Sequence, residues 1–290
     1  MPEGDTLRRL ATQIDRRFAG GLVDRSVMRD PRIADVDLAG RTLVEADAYG
    51  KHLFLRFDDG RTLHAHLLMT GSFCVGRPSR EPEWKRRLEL WIGDGRLTGE
   101  SVPLLEIVAT THEHVITDRL GPDLCAPTGP PDPHAIAERM CHVAPHEPLS
   151  AALLDQQHVA GFGNIYVNDV PFIVGVSPHQ PIGTIDGLGD LVAIGAALIR
   201  TNADRGPQNT TGRRLASDAR WVHGVGRGRC PVCGTRVMYE SGDRSPWGRS
   251  ITWCPECQPL VDRRTVDLAR TRRLIGLHPA VKQPVFPSPR

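Results

Sequence analysis

Two short stretches of the chain carry residue types that suit chemistry. The first is "MPEGDT". Removal of Met1 would leave the secondary amine of Pro2 at the terminus, and an α-amine titrates near pH ~8, so a useful share is neutral and nucleophilic at neutral pH. Glu3 would stand beside it as an acid or base. Taken alone, the same two residues also suit a rigid terminus with a first-turn carboxylate favoured by a helix dipole. The second stretch is "CPVCGTRVMYESGDRSPWGRSITWCPEC", in which Cys230 and Cys233, then Cys254 and Cys257, form two C-x-x-C knuckles separated by 20 residues. Knuckles of this spacing let four thiolates converge on one tetrahedral ion, and a full set of four protein ligands makes that ion structural. One structural Zn2+ is therefore expected, held by Cys230, Cys233, Cys254 and Cys257.

Elements must position these groups. "GDTLRRLATQIDRRF" spaces Leu7, Leu10, Ile14 and Phe18 along one helix face, starting at Gly4 or Asp5. Pro2 and Glu3 then sit at that helix's N-terminus. The period changes to two in "KHLFLRFDDGRTLHAHLLMTGSF", a hairpin that alternates Leu53, Leu55 and Phe57 with polar neighbours. "LELWIG", "RLTGE" and "LLEIVAT" extend the same sheet system. "GPDLCAPTGPPDP" marks a boundary, after which "HAIAERMCHV", "PLSAALLDQQ", "NIYVNDVPFIV" and "GLGDLVAIGAALIRTNADRG" read as helices.

The expected fold class is thus α+β and multidomain. An N-terminal β-sandwich with a leading helix occupies 1–120, and a linker follows over 121–133. A helical domain spans 134–222, a zinc-finger hairpin 223–260, and a disordered tail 261–290. Between its knuckles the finger reads as two strands around a turn, with Arg244 and Arg249 on or near it. Arg249 suits either a solvated strand charge or a nucleic-acid groove. In "LLDQQHVAGFGNIY", Gly161 and Gly163 shape a turn before a helix beginning at Asn164. Such a turn suits close approach of an anion to a helix N-terminus, or an ordinary Asn cap.

Composition sets the bounds. At 290 residues and 40% hydrophobic residues, the chain can build two cores, and its net charge of +2 argues neither for nor against a polyanion. Lys51, Lys85 and Lys282 are the only lysines. Arginine's planar fork suits phosphate, although a genomic bias would give the same preference. No apolar run approaches the ~20 residues of a membrane span, so a cytosolic protein with no membrane partner is expected. Cys74, Cys125 and Cys141 are scattered singles of a reduced compartment.

"MPEG", "GKHL", "HLLMTGSF", "LLDQQHVAGFGNIY" and a four-cysteine finger follow one another in fixed order. In that order, over residues 1–258, the chain resembles the formamidopyrimidine-DNA glycosylase and endonuclease VIII family of base-excision repair enzymes. "MPEGDT" is more similar to the endonuclease VIII-like, actinobacterial branch than to the "MPELPE" start of the other. The resemblance implies a β-sandwich, a helix–two-turn–helix domain and a zinc hairpin. It implies that Pro2 is the catalytic amine, Glu3 the catalytic carboxylate and Lys51 the essential lysine at a strand start. Asn164 would bind phosphate with the Gly161 and Gly163 turn, Arg249 would reach DNA from the finger, and Met69 would fill the gap left by an everted base. The implied partner of this monomer is damaged DNA, double-stranded or single-stranded, at the bacterial nucleoid.

The chain departs from the family pattern at several points. Thr6 replaces a frequent glutamate, the hairpin between the knuckles is about four residues longer, and "LTGESVPLLEIV" lacks an Arg and Phe wedge pair. The connection from "NADRGPQNTTGRRL" to the finger is short, leaving little room for the 8-oxoguanine capping loop. Oxidised pyrimidines such as thymine glycol or 5-hydroxycytosine are therefore the expected lesions. The alternatives are an 8-oxoguanine and formamidopyrimidine glycosylase, or a non-catalytic DNA-binding zinc protein of the same fold.

Overall fold

The computed structural model describes residues 2–129, 131–226, 228–244, 248–276 and 278–282. Met1, whose removal would free Pro2, and the tail residues 283–290 lie outside them, as does the side chain of Arg244. The chain divides into two compact units, Met1–Arg119 and Leu120–Arg290.

In the first unit, helix α1 (Gly4–Phe18) begins at Gly4 and buries Leu7, Leu10, Ala11, Ile14 and Phe18, the face that the spacing predicts. Eight strands follow: β1 (Gly21–Met28), β2 (Thr42–Tyr49), β3 (His52–Phe57), β4 (Arg61–His66), β5 (Ser72–Val75), β6 (Arg86–Ile92), β7 (Gly95–Glu100) and β8 (Leu104–Ala109). A one-turn helix, α2 (His114–Thr117), closes the unit. The sheet order is β5-β7-β6-β1-β2-β3-β4-β8. Strand β1 joins its two halves: Gly21 and Leu22 pair with β2, while Val23 to Met28 pair with β6, with an irregularity between Val23 and Arg25. Such an irregularity bends a strand and lets one sheet fold over a common core. That core takes Leu53, Leu55, Leu63 and Ala65 from the central hairpin and Leu88, Leu90 and Leu97 from the other half.

The alternation along β3 and β4 holds, but the residues between the core positions form no solvated face. Phe54, Thr62 and His64 point away from the aliphatic core and are also buried. Ion pairs and hydrogen bonds account for part of this: Glu113 accepts from Thr62 Oγ1 at 2.6 Å and from Arg56 Nη2 at 2.7 Å.

The second unit holds α3 (Pro133–Val143), α4 (Leu149–Leu154), α5 (Asn164–Val174) and α6 (Leu188–Arg205) around one apolar core. Strand β9 (Ile185–Asp186) precedes α6, and β10 (Met238–Glu240) pairs antiparallel with β11 (Ile251–Trp253) to form the finger hairpin. Two expectations need correction. Residues 121–129 are no loose linker, because Leu124 and Cys125 belong to the core and Asp123 bridges to Ala160. Residues 264–276 and 278–282 are no disordered tail either. Strand β12 (Arg264–Thr265) pairs in parallel with β9, and α7 (Leu268–Ile275) packs on α5. Arg270 donates to the Phe172 carbonyl at 3.2 Å, and Arg264 donates to the Gly175 carbonyl at 2.9 Å. Cations that bind the last carbonyls of a helix satisfy orphan acceptors and complement its dipole, so the arginines that made this segment look unstructured hold it in place.

Among the described residues, no helix is long and apolar enough to cross a membrane.

Candidate active site and metal centre

In the first unit, Glu3 is the N-cap of α1 and its carbonyl accepts from Thr6 and Leu7 N–H at 2.9 and 3.1 Å. Its side chain makes no capping bond, yet Glu3 is 0% exposed. A solvated first-turn carboxylate would not be buried in this way, because taking a carboxylate from water is costly unless partners receive it. Pro2, beside it, is half-buried. Asp5 is buried too and accepts from Thr6 N–H at 2.6 Å, so Thr6 engages the neighbouring carboxylate instead of supplying one.

Lys51 lies in the two-residue turn between β2 and β3, where Tyr49 pairs with His52 across the hairpin. The preceding Gly50 has φ +56°, the left-handed conformation such a turn requires. Sequence reasoning missed the residue that ties this hairpin to α1. Arg8 donates to Asp47 Oδ1 at 2.5 Å and also to the Ala48 carbonyl, and Asp15 Oδ1 accepts from Ala46 N–H at 3.0 Å. The helix that follows Pro2 and Glu3 and the strand leading to Lys51 are thereby fastened together.

Met69 occupies the turn between β4 and β5 and is 57% exposed. Leu68 before it holds φ +45° and is also exposed. The turn closes through Gly71 N–H to the Leu67 carbonyl at 2.8 Å, and a Cβ at Gly71 would come within 2.9 Å of that oxygen.

In the second unit, the Gly161 and Gly163 turn is organised by Gln156, which the sequence did not single out. Its Nε2 donates to the Leu154 and Phe162 carbonyls at 2.8 and 3.0 Å, and its Oε1 accepts from Gly161 N–H at 3.0 Å. Gly161 has φ +116°, which a side chain would disfavour. Gly163 caps α5, and Asn164 follows at 6% exposure. Asn164 Oδ1 has no hydrogen-bond partner among the described residues, while Nδ2 reaches Ser250 Oγ only at 3.5 Å. A buried amide with unmet capacity at a helix N-terminus suits a further polar ligand, and exchanging its O and N would put the NH2 donor in the unpaired position.

Asn168, one turn along, joins its own helix to the finger: its Nδ2 donates to the Asn164 carbonyl at 2.6 Å and to the Ser250 carbonyl at 3.4 Å, and its Oδ1 accepts from Thr252 N–H at 2.5 Å. Arg249 is half-buried and lies immediately before Ser250, so the fold brings the finger strand that follows Arg249 onto the helix that Asn164 begins. Asp169 is fully buried and collects four donors, Thr210 Oγ1 at 2.5 Å and the N–H groups of Trp221, Val222 and His223 at 3.1, 2.9 and 2.9 Å.

The four finger cysteines gather as expected, with all their Sγ atoms within 4.8 Å of one another. Cys230 and Cys257 are 3.8 Å apart and Cys233 and Cys254 3.4 Å. A tetrahedron with zinc–sulfur bonds of about 2.3 Å has edges of roughly 3.8 Å, so the donor set fits such an ion. In the thiol form, burial pushes Cys257 up to about 11, a penalty that binding a cation to the thiolates would reverse.

The formamidopyrimidine-DNA glycosylase N-terminal domain matches residues 1–99. The chain is 37% identical over 265 residues to the probable endonuclease 8 2 of Streptomyces coelicolor, a match covering 89% of this chain and 94% of the relative. The chain belongs to the formamidopyrimidine-DNA glycosylase and endonuclease VIII family of DNA-repair enzymes. Within that family it is also 34% identical over 259 residues to the DNA-(apurinic or apyrimidinic site) lyase Nei2 of Mycolicibacterium smegmatis, across 89% of this chain and 99% of that one. Its fold matches that of the formamidopyrimidine-DNA glycosylase of Lactococcus lactis solved non-covalently bound to DNA containing an abasic site. There the TM-score is 0.72 at 22% identity, over 89% of this chain and 99% of the other. Both units of this family member carry the residues that the motifs singled out: Pro2, Glu3, Lys51 and Met69 in the first, and Asn164, Arg249 and the four cysteines in the second.

Proposed function

We propose that this enzyme is a bifunctional DNA glycosylase and abasic-site lyase that removes oxidised pyrimidines from duplex DNA as a cytoplasmic monomer. The observation that carries the reading is the fully buried Glu3 carboxylate next to Pro2 at the start of α1, tied by Arg8 to the strand before Lys51. With Met1 removed, the Pro2 nitrogen attacks C1′ of an everted nucleotide and the base leaves with the glycosidic electron pair. The sugar ring opens as O4′ takes a proton from Glu3, giving an iminium ion that acidifies the C2′ protons. Loss of a C2′ proton expels the 3′ phosphate. A second elimination expels the 5′ phosphate, and water then releases the sugar fragment and restores the amine. Lys51 holds the phosphate beside the reacting sugar.

Asn164 and Arg249 grip the backbone, while Met69 enters the gap in the stack. The four cysteines hold one structural zinc ion, which supplies folding energy to the hairpin and takes no part in the reaction. The pyrimidine preference is supported by the segment after α6. Thr210 and Trp221 are buried on Asp169, so of the segment they bracket only the short exposed stretch 213–217 is left for a flap over a larger base. Borohydride trapping on duplexes containing thymine glycol, 8-oxoguanine or an abasic site tests the reading. A covalent adduct on the first and third, absent when Met1 is retained, is expected. No adduct on any duplex, with zinc bound and Pro2 free, would leave a binding protein only. Preferential trapping on 8-oxoguanine would reverse the lesion assignment.

A further inference from the structure

On the face of the hairpin opposite the aliphatic core, three strands place a chain of polar side chains in register. His52 pairs with His66 and Phe54 with His64 across β3 and β4, and His64 pairs with Glu106 across β4 and β8. His64 Nδ1 lies 2.7 Å from Glu106 Oε1, and His64 Nε2 lies 2.8 Å from His52 Nδ1. The rings are nearly parallel: His64 stacks on His52 with 5.1 Å between centroids and on Phe54 at the same distance. His64 is 1% exposed.

The proton positions follow from the contacts. A carboxylate only accepts, so His64 Nδ1–H donates to Glu106 and His64 Nε2 is left as an acceptor. His52 must then donate from Nδ1. His66 accepts from Leu68 N–H on its own Nδ1 at 3.0 Å and so carries its proton on Nε2. The chain therefore has one direction, from His52 through His64 to Glu106, and fixes the ring of His52 in rotation and tautomer.

His52 is the first residue of β3 and is bonded directly to Lys51. The turn before it contains Gly50 in the left-handed region, a residue with wide backbone freedom. Pairing of His52 with Tyr49 and His66 limits that freedom on the β3 side, and the anchored His52 ring adds to it. We propose that His64 is a positioning residue for Lys51, acting through His52 as the middle link of a Glu106–His64–His52 hydrogen-bonded chain. The proposal rests on the role given to Lys51 above. A hydrogen-bonded chain of this kind suits the narrow tolerance of a charge set beside a reacting phosphate, where small misplacements are costly.

A double-mutant cycle tests it, using single-turnover cleavage of a duplex with a preformed abasic site and thermal melting of each protein. His64→Leu should slow cleavage about tenfold or more, whereas His64→Gln, whose amide can accept from His52 and donate to Glu106, should stay within about threefold of the parent. In a Lys51→Ala background, His64→Leu should change the rate less than about twofold. An equal loss in both backgrounds, or no loss with Lys51 present, would overturn the relay alone. Parental cleavage by Lys51→Ala itself would remove Lys51 from the chemistry and this proposal with it. Should His64→Leu not fold, Glu106→Ala carries the same cycle, because that side chain is 43% exposed at the end of the chain. It too should slow cleavage only while Lys51 is present, and a loss independent of Lys51 would count against the relay.

Discussion

Asn168 Oδ1 accepts the backbone N–H of Thr252 at 2.5 Å, which makes helix α5 and the finger strand β11 one hydrogen-bonded piece. Asn164 begins that helix, and Arg249 leads into that strand. Asn168→Ala would strand a buried amide at a cost of about 1–3 kcal/mol. Weaker binding of abasic duplex, by about tenfold, is expected with the metal retained, measured by fluorescence anisotropy alongside metal analysis. Unchanged affinity would mean that DNA binding needs no fixed relation between α5 and the finger strand.

Removal of the metal should loosen the finger and not the chemistry. After exhaustive chelation, about one equivalent of zinc per chain should be released, and affinity for duplex should fall with a flatter salt dependence as phosphate contacts are lost. Iminium trapping at saturating DNA should persist. Full affinity in the stripped protein would remove the finger from DNA binding.

Glu3→Gln keeps the size of the buried side chain but cannot deliver a proton, so lesion-containing duplex should still bind while base release falls by about 10²-fold or more. Pro2→Gly retains a terminal amine but makes a primary one, and a smaller trapped fraction is expected. Parental base release by Glu3→Gln would exclude this carboxylate from the reaction.

His52 makes the fold sensitive to acid. Its pKa is lowered from 6.5 to about 3, first by burial and then by repulsion from His66 and His64. The folded state therefore holds it neutral where the unfolded chain would take a proton, so its contribution is complete above pH about 6.5 and is lost as pH falls towards 3. Between pH 7.5 and 5 the loss should be roughly 2 kcal/mol in urea titrations, and His52→Gln should lose correspondingly less. Equal losses in the two proteins would show that His52 ionises freely in the folded state.

Much of this was legible because chemistry and periodicity coincide in the chain. Leu7, Leu10, Ile14 and Phe18 have no use except as a buried helix face, and two C-x-x-C knuckles bring their own geometry. What stayed hidden depends on partners distant in sequence. His64 alternates with aliphatic residues like any solvent-facing group, and only the register with β3 and β8 puts it between His52 and Glu106. Gln156, Asn168 and Asp169 are ordinary polar residues until the loops they clamp are in place. Proline and glycine over 121–133 suggested a linker, although Leu124 and Cys125 were apolar enough to enter a core. Composition also misled at 264–275, where arginines that resembled a solvated tail cap a helix elsewhere.

The grip of Arg264 and Arg270 on the last turn of α5 has a practical consequence for anyone handling this protein. The helix that starts at Asn164 ends in carbonyls held by residues beyond the final cysteine. A fragment trimmed after Cys257, where the recognisable motifs stop, would look complete and yet release the far end of the helix that Asn164 begins.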